Sequence, residues 1–357
     1  MRSPEIVETP EEAAGLELAP LLIRRPLERF LDSHGLGRGP IEATKLGEGQ
    51  SNVTFLLERG GDRFVLRRPP RPPLPPSAHD MEREARVQRS LESAGARVPH
   101  VLAVCTDEDL LGVAFYVMDY LDGHVVAETL PPGLDRPDER ARIGDELVDA
   151  LVEIHAVDWL ACGLEGFGKP TGYLERQVRR FAGLWEHNAT RELPQVAELA
   201  VWLDANRPAS GAATVVHGDY RLGNVMLAAE PPARVLGVLD WELSTIGDPL
   251  ADLGYLVATY ADAATPSTPL QLWQVTRQQG FPSRAELVER YQARSGRSVA
   301  ALHWYEALAL WKSAVFCEAI YGRFLRGERG ADDRFGRSLE QGVPRLLEAA
   351  ALSAAGG

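Results

Sequence analysis

Cysteine is scarce: Cys105, Cys162 and Cys317 are the only three, and they lie far apart with no Cys-x-x-Cys pair. That spacing excludes a disulfide framework and a cysteine zinc site, and it fits a reducing compartment. Long apolar runs are missing as well. No stretch approaches the roughly 18 apolar residues that a membrane span needs. Residues 1–22 carry scattered acids and prolines rather than an apolar run, so they do not read as a signal peptide. The expectation is a cytoplasmic protein. Positive charge is also short: 38 Lys and Arg stand against 51 Asp and Glu, a formal net charge of −13. A nucleic acid or an anionic membrane surface requires a basic face, so neither is an expected partner. No internal repeat is visible, and nothing sets an oligomeric state.

What is present is a chain of 357 residues, 45% hydrophobic and 25% charged, which suits two lobes of unequal size. Residues 1–20 read as a loose tail. Ile23–His34 follows as a short amphipathic helix closed by Gly35. Strand patterns then run through Thr44–Leu46, Asn52–Glu58 and Arg63–Arg67, with turns at 47–51 and at Gly60-Gly61-Asp62. A proline tract at 69–76 reads as a stiff connector to a charged helix, Ala78–Ala94, followed by strands Val101–Cys105 and Ala114–Tyr120. Beyond residue 136 the period changes to that of helices: Ala141–His155, Leu174–Trp185, Leu193–Asn206, Ala285–Ser295 and Leu302–Leu325. Only Ala213–Val216 and Arg234–Leu239 interrupt them as short strands. The predicted class is α+β. It comprises an extension (1–40), a strand-rich lobe (41–118) and a mostly helical lobe (119–357), with a hinge at 118–123.

The strongest motif is His217-Gly218-Asp219-Tyr220-Arg221-Leu222-Gly223-Asn224, followed after an apolar stretch by Val238-Leu239-Asp240-Trp241-Glu242. Asp219 and Asn224 share one short loop after a predicted strand, and Asp240 ends the next strand. Hairpin pairing of those strands would bring Asp240 beside Asn224. One carboxylate and one amide oxygen are hard ligands of the kind magnesium takes, with waters and substrate phosphates completing the shell. Asp219 is left to accept a proton from an attacking hydroxyl.

This pattern resembles the kinase catalytic loop, in which an Asp is followed five positions later by a metal-binding Asn. Gly218 stands where protein kinases carry Arg, and Asp240-Trp241-Glu242 where they carry Asp-Phe-Gly. Those changes resemble the aminoglycoside phosphotransferase and choline kinase branch of small-molecule kinases. The resemblance extends from about residue 41 to about 325 and implies a protein-kinase-like two-lobed fold using ATP and Mg2+. It implies that the turn Gly47, Gly49, Gln50, Ser51 and Asn52 covers the nucleotide phosphates. It further implies that Arg67, in the place of the usual lysine, grips them, and that Glu84 pairs with that cation, with Glu82 as a rival. Backbone at Asp119 and Leu121 would hold adenine. Asp252 either braces the catalytic loop or is a polar first-turn residue, in a helix that Asp248 and Pro249 open. His217 and His155 read as orienting or core histidines rather than bases.

Other motifs read blandly. Gly163–Pro170 nearly matches a Walker A loop but ends in Pro170 where a hydroxyl is required, so it is a loop. Trp304, Leu308, Trp311 and Val315 read as core, and Lys312 on the same helix is placed to reach an anionic substrate. Only eleven residues separate Asp240 from Asp252 and no Ala-Pro-Glu follows, which disfavours a protein kinase. The runs Leu239–Leu253 and Val65-Leu66-Arg67-Arg68-Pro69-Pro70 look most like the kinase-like domain associated with acyl-CoA dehydrogenases. That implies transfer of the γ-phosphoryl of ATP to the hydroxyl of a small molecule, a hydroxyacyl compound or its CoA thioester. The alternatives are a catalytically silent nucleotide-binding pseudokinase, or a true aminoglycoside or choline kinase.

Overall fold

The computed structural model describes residues 4–47, 52–74, 79–330 and 332–356. The chain divides into two compact units, Met1–Ser93 with Val98–Asp122, and Ala94–Arg97 with Gly123–Gly357. Among the described residues no helix is long and apolar enough to cross a membrane.

The first unit begins with β1 (Ile6–Val7), α1 (Pro10–Ala14), β2 (Leu22–Ile23) and α2 (Arg24–Ser33). Next come β3 (Glu42–Leu46), β4 (Val53–Arg59), β5 (Asp62–Arg68), α3 (Met81–Ser93), β6 (Val101–Cys105), α4 (Glu108–Leu111) and β7 (Phe115–Asp119). The strands from β3 onward form one antiparallel five-stranded sheet in the order β3-β4-β5-β7-β6. Because side chains alternate along a strand, successive residues serve opposite faces. Phe64 and Leu66 of β5, with Phe115 and Val117 of β7, pack with Leu27 and Leu31 of α2. Val65, Tyr116 and Met118 pack instead with Met81 and Ala85 of α3. Arg67 is two residues on from Val65, so it shares the α3 face.

The expected loose tail is corrected by the structure. Ile6 and Val7 pair in parallel with Leu22 and Ile23. Thr9 caps α1 by accepting from the Glu12 amide. Burial of Leu21 and Leu22 supplies the anchoring that polar composition concealed.

The second unit comprises β8 (Gly123–Val125), α5 (Pro137–Ala156), α6 (Tyr173–Asn188), α7 (Gln195–Ala205) and β9 (Thr214–Val216). It continues with β10 (Val225–Ala228), β11 (Val235–Val238), β12 (Thr245–Gly247), α8 (Leu250–Thr259), α9 (Arg284–Ser295), α10 (Leu302–Leu325) and α11 (Arg334–Ala355). Helix α10 is central. Its Trp304, Leu308, Trp311 and Val315 are buried among residues of α6, α7 and α11, which agrees with the core reading. The indoles of Trp304 and Trp311 donate to the carbonyls of Leu203 and Val196, each at 3.0 Å. Helices α8 and α10 approach so closely at Gly254 that a Cβ there would lie 2.7 Å from the Tyr305 backbone. Gly163–Pro170 is a loop, as expected.

Candidate functional site

The loop after β9 is shaped by one glycine. Gly218 has φ +88°, and a Cβ on it would stand 2.7 Å from the Leu243 carbonyl oxygen. Both constraints require glycine, which is the local reason that no arginine follows His217. Beneath the loop, Asp252 of α8 accepts the His217 and Gly218 amides at 2.6 and 2.8 Å. It also lies 3.3 Å from His155 Nε2, whose Nδ1 is 2.7 Å from the Tyr291 hydroxyl. Asp252 therefore braces the catalytic loop and is not a bland first-turn residue. Burial holds the His155 pKa below its ordinary value, against the pull of Asp252. The imidazole is neutral, donating to Asp252 and accepting from Tyr291. Burial pushes Asp252 the other way, but bonds from His155 and the Gly218 amide outweigh it and leave the carboxyl below its ordinary value.

His217 is also committed. Its Nε2 is 2.8 Å from the Leu239 carbonyl, which can only accept, so Nε2 carries the proton. Nδ1 then accepts the Asp219 amide at 3.2 Å. With both nitrogens engaged and Trp241 packed on the ring at 4.6 Å between centroids, His217 orients the loop and is not free to act as a base.

Asp219 and Asn224 meet as the spacing predicts. Asn224 Nδ2 donates to the Asp219 carbonyl and to its Oδ2, each at 2.8 Å. This commits the amide nitrogen and leaves Oδ1 to accept. The expected pairing is corrected: β9 pairs with β12 rather than with Val235–Val238, and the strand that meets β11 is β10, where Val225 pairs with Val238; the Leu239 amide donates to the Asn224 carbonyl at 2.8 Å. Asp240 follows immediately, in the left-handed conformation with φ 69°, a region that Asp tolerates better than most residues. The donor set, an amide oxygen and a carboxylate at one end of a hairpin, fits a hard cation. Among the described residues no group of three or more His, Cys, Asp and Glu gathers as a metal site. Magnesium bound through one or two protein ligands and substrate phosphates does not need one.

Two neighbours of Asp219 were not singled out in the sequence. Arg221 Nε lies 3.3 Å from Asp219 Oδ1. Tyr255, on α8, lies near the Asp219 carboxylate; burial first, then that charge, raises its pKa well above the ordinary value. The signal that could have found Tyr255 is helical: it lies three residues after Asp252 and so on the same face.

In the first unit, Arg67 Nε is 2.8 Å from Glu84 Oε2, and both side chains are largely buried. Glu84 also accepts from Asn52 Nδ2 at 2.9 Å and from the Tyr116 hydroxyl at 3.2 Å. The rival Glu82 is exposed. Gly47 ends the described part of the turn with φ 66°; Gly49, Gln50 and Ser51 lie outside the described residues. Asp119 donates its amide to the His100 carbonyl at 2.9 Å, and Leu121 lies two residues beyond, half-buried.

Comparison with known proteins agrees with this geometry. The model of the phosphotransferase enzyme family (APH) matches residues 42–306. Acyl-CoA dehydrogenase family member 11 of Rattus norvegicus is 35% identical over 319 residues, covering 87% of this chain and 41% of the relative. Acyl-CoA dehydrogenase family member 10 of Mus musculus is 35% identical over 86% of this chain and 28% of its own length. The chain thus spans about two fifths or less of these curated relatives. Among solved structures, a candidate aminoglycoside phosphotransferase from Ralstonia eutropha superposes with a TM-score of 0.78 at 31% identity, covering 92% of this chain and 97% of that one. A thermostable aminoglycoside phosphotransferase APH(4)-Ia in complex with AMP-PNP and hygromycin B shares the fold, with a TM-score of 0.59, 18% identity and coverage of 91% and 99%. With an α+β, protein-kinase-like fold and a family model that covers most of its length, the chain belongs to the phosphotransferase enzyme family.

Proposed function

We propose that the chain is an ATP-dependent kinase that phosphorylates a hydroxyl on a small acyl-type molecule. The observation that carries the reading is the single hairpin that holds Asp219, Asn224 and Asp240 in one neighbourhood, with Asn224 bonded to Asp219. The acceptor hydroxyl gives its proton to Asp219, its oxygen forms a bond to the γ-phosphorus, and the bond from that phosphorus to the bridging oxygen of ADP breaks. Magnesium, held by Asn224 and Asp240, supplies neutralising charge for the phosphates. In the first unit, Arg67 supplies a phosphate-gripping cation that Glu84 orients. Such a site works chiefly by positioning and electrostatic stabilisation.

The acyl substrate class is supported by the names of the curated relatives, which are acyl-CoA dehydrogenase family members. Nucleotide use is supported by the AMP-PNP complex of a protein with the same fold. The test offers purified protein ATP and magnesium with hydroxyacyl-CoA thioesters, an aminoglycoside and choline, and follows ADP and the phosphate ester. Phosphorylation of a hydroxyacyl compound is expected. Turnover of the aminoglycoside or choline alone would replace the substrate class. ATP bound but never consumed, with every acceptor, would establish the silent-module alternative.

A further inference from the structure

Close to the catalytic loop the second unit holds a cation with no close ion-pair partner among the described residues. Lys312 of α10 lies over the Phe181 ring, 4.8 Å from its centroid. Among the described residues its ammonium has no hydrogen-bond or ion-pair partner. It borders a cavity of about 20 Å3 whose wall includes Gly218 of the catalytic loop, Tyr173, Asp252, Tyr255 and Tyr305. Tyr255 is the residue whose pKa the Asp219 charge raises, so the cavity adjoins the proposed base.

Charges of both signs surround the cavity. Its one carboxylate, Asp252, is saturated by the His217 and Gly218 amides and by His155. The Tyr305 hydroxyl is turned away to Asp248, at 2.9 Å. Arg180 of α6 adds a second positive charge. Burial and Arg180 pull the Lys312 pKa down to about 8, while Asp252 pulls it up. Lys312 is therefore still charged at neutral pH and under-solvated, and a compensating oxygen would stabilise it.

Size limits what that oxygen belongs to. A cavity of about 20 Å3 is close to the minimum for one water, about 10–15 Å3. It takes a single oxygen-bearing group and has no room for a sugar ring.

We propose that this cavity holds the acyl end of the phosphoryl acceptor, with Lys312 binding an acyl oxygen while the hydroxyl to be phosphorylated lies at Asp219. What is bound rests on the kinase reading; that a small anionic or carbonyl oxygen binds at Lys312 does not. The same chemistry is offered by a free carboxylate and by a thioester carbonyl, and these are separated by experiment.

The experiment is calorimetric titration of the full chain with hydroxypentanoates carrying the hydroxyl at each carbon in turn, with their CoA thioesters, and with the matching pentanols. Wild type is expected to bind at least one acid or thioester and to ignore the pentanols. Loss of a hydrogen bond to a charged group predicts binding about 10- to 100-fold weaker in Lys312→Met, with Lys312→Arg restoring most of it. Nucleotide affinity should not change, and Lys312→Met keeps the shape of the side chain, so melting curves check folding. Acid-only binding identifies a carboxylate, and thioester-only binding a carbonyl. The proposal is overturned if wild type binds no acid or thioester, if the pentanols bind equally well, or if Lys312→Met binds like wild type. If binding depends on Lys312 but no ADP forms, the kinase reading fails and the oxygen site stands.

Discussion

Asn224 grips Asp219 twice, through its side-chain oxygen and its main-chain carbonyl, each at 2.8 Å. The pair therefore moves as one piece, and the carboxylate is held by a neutral amide that does not compete for a proton. In Asp219→Asn the new amide oxygen still accepts from Asn224, so the loop should keep its form. Turnover of a confirmed substrate should fall by about 10²–10⁴, the usual loss when a general base is removed, with nucleotide affinity unchanged. Near-normal turnover would remove Asp219 from the role.

Arg67 is expected to have two separable effects. Its removal takes from Glu84, which is 2% exposed, the ion-pair partner at 2.8 Å. Breaking a buried pair costs about 3–5 kcal/mol, so Arg67→Ala should melt well below wild type. If Arg67 also grips phosphate, Arg67→Ala should lose ATP affinity, and Arg67→Lys should recover much of it while giving up the two-pronged contact. Titration with a non-hydrolysable ATP analogue decides. Unchanged affinity in Arg67→Ala would confine the residue to a structural role.

Gly218→Ala should be far worse than an ordinary surface substitution. The positive φ alone costs about 1–3 kcal/mol, and the Cβ would press on the Leu243 carbonyl at 2.7 Å. The loop has to shift, and Asp219 with it. Chemical denaturation and turnover should both show the damage; a variant as stable and active as wild type would mean that the loop is not held as described.

The pH dependence follows from His155. Its folded pKa lies below the ordinary 6.5 because it is buried. As pH falls below about 6.5 the unfolded chain takes up a proton that the folded chain refuses, so stability falls with acidification and is fully present above that value. His79, lowered by burial and by Arg67, acts in the same direction. Asp252, whose folded pKa is depressed, adds a further loss below 3.8. His155→Gln should flatten the stability change across pH 6.5 without abolishing it; a slope identical to wild type would contradict the assignment.

Much of this was legible because the site is built from local sequence. The hairpin that brings Asn224 and Asp240 to one end was half legible: Val235–Val238 lies within the expected strand, whereas Val225–Ala228 was not singled out and Thr214–Val216 pairs elsewhere. Arg67 and Glu84 were singled out by what the family resemblance implies, not by alternation or helical period. Tyr255 was missed: in a run as apolar as Leu253–Ala258 a tyrosine reads as core, although its spacing from Asp252 puts it on the same helix face. Helix α11 escaped notice because Gly336, Gly342 and Pro344 interrupt its pattern, and its amphipathic face is stabilised by α10 rather than by propensity. The short strands β1 and β2 were hidden for a similar reason, since two residues apiece carry no period.

Glu84 sits near the start of α3 and is bound at once to β5 through Arg67, to β7 through Tyr116, and to Asn52 beside β4. One turn later, Gln88 takes the Tyr116 hydroxyl at 2.9 Å. Regulated protein kinases are silenced by moving the equivalent helix so that its glutamate lets go of the cation. Here such a swing would break every one of these bonds together. The helix is latched in its working position by the sheet itself, and amide exchange along 81–93 should be slow with or without nucleotide. Faster exchange there without nucleotide would mean that the helix is not held by the sheet alone.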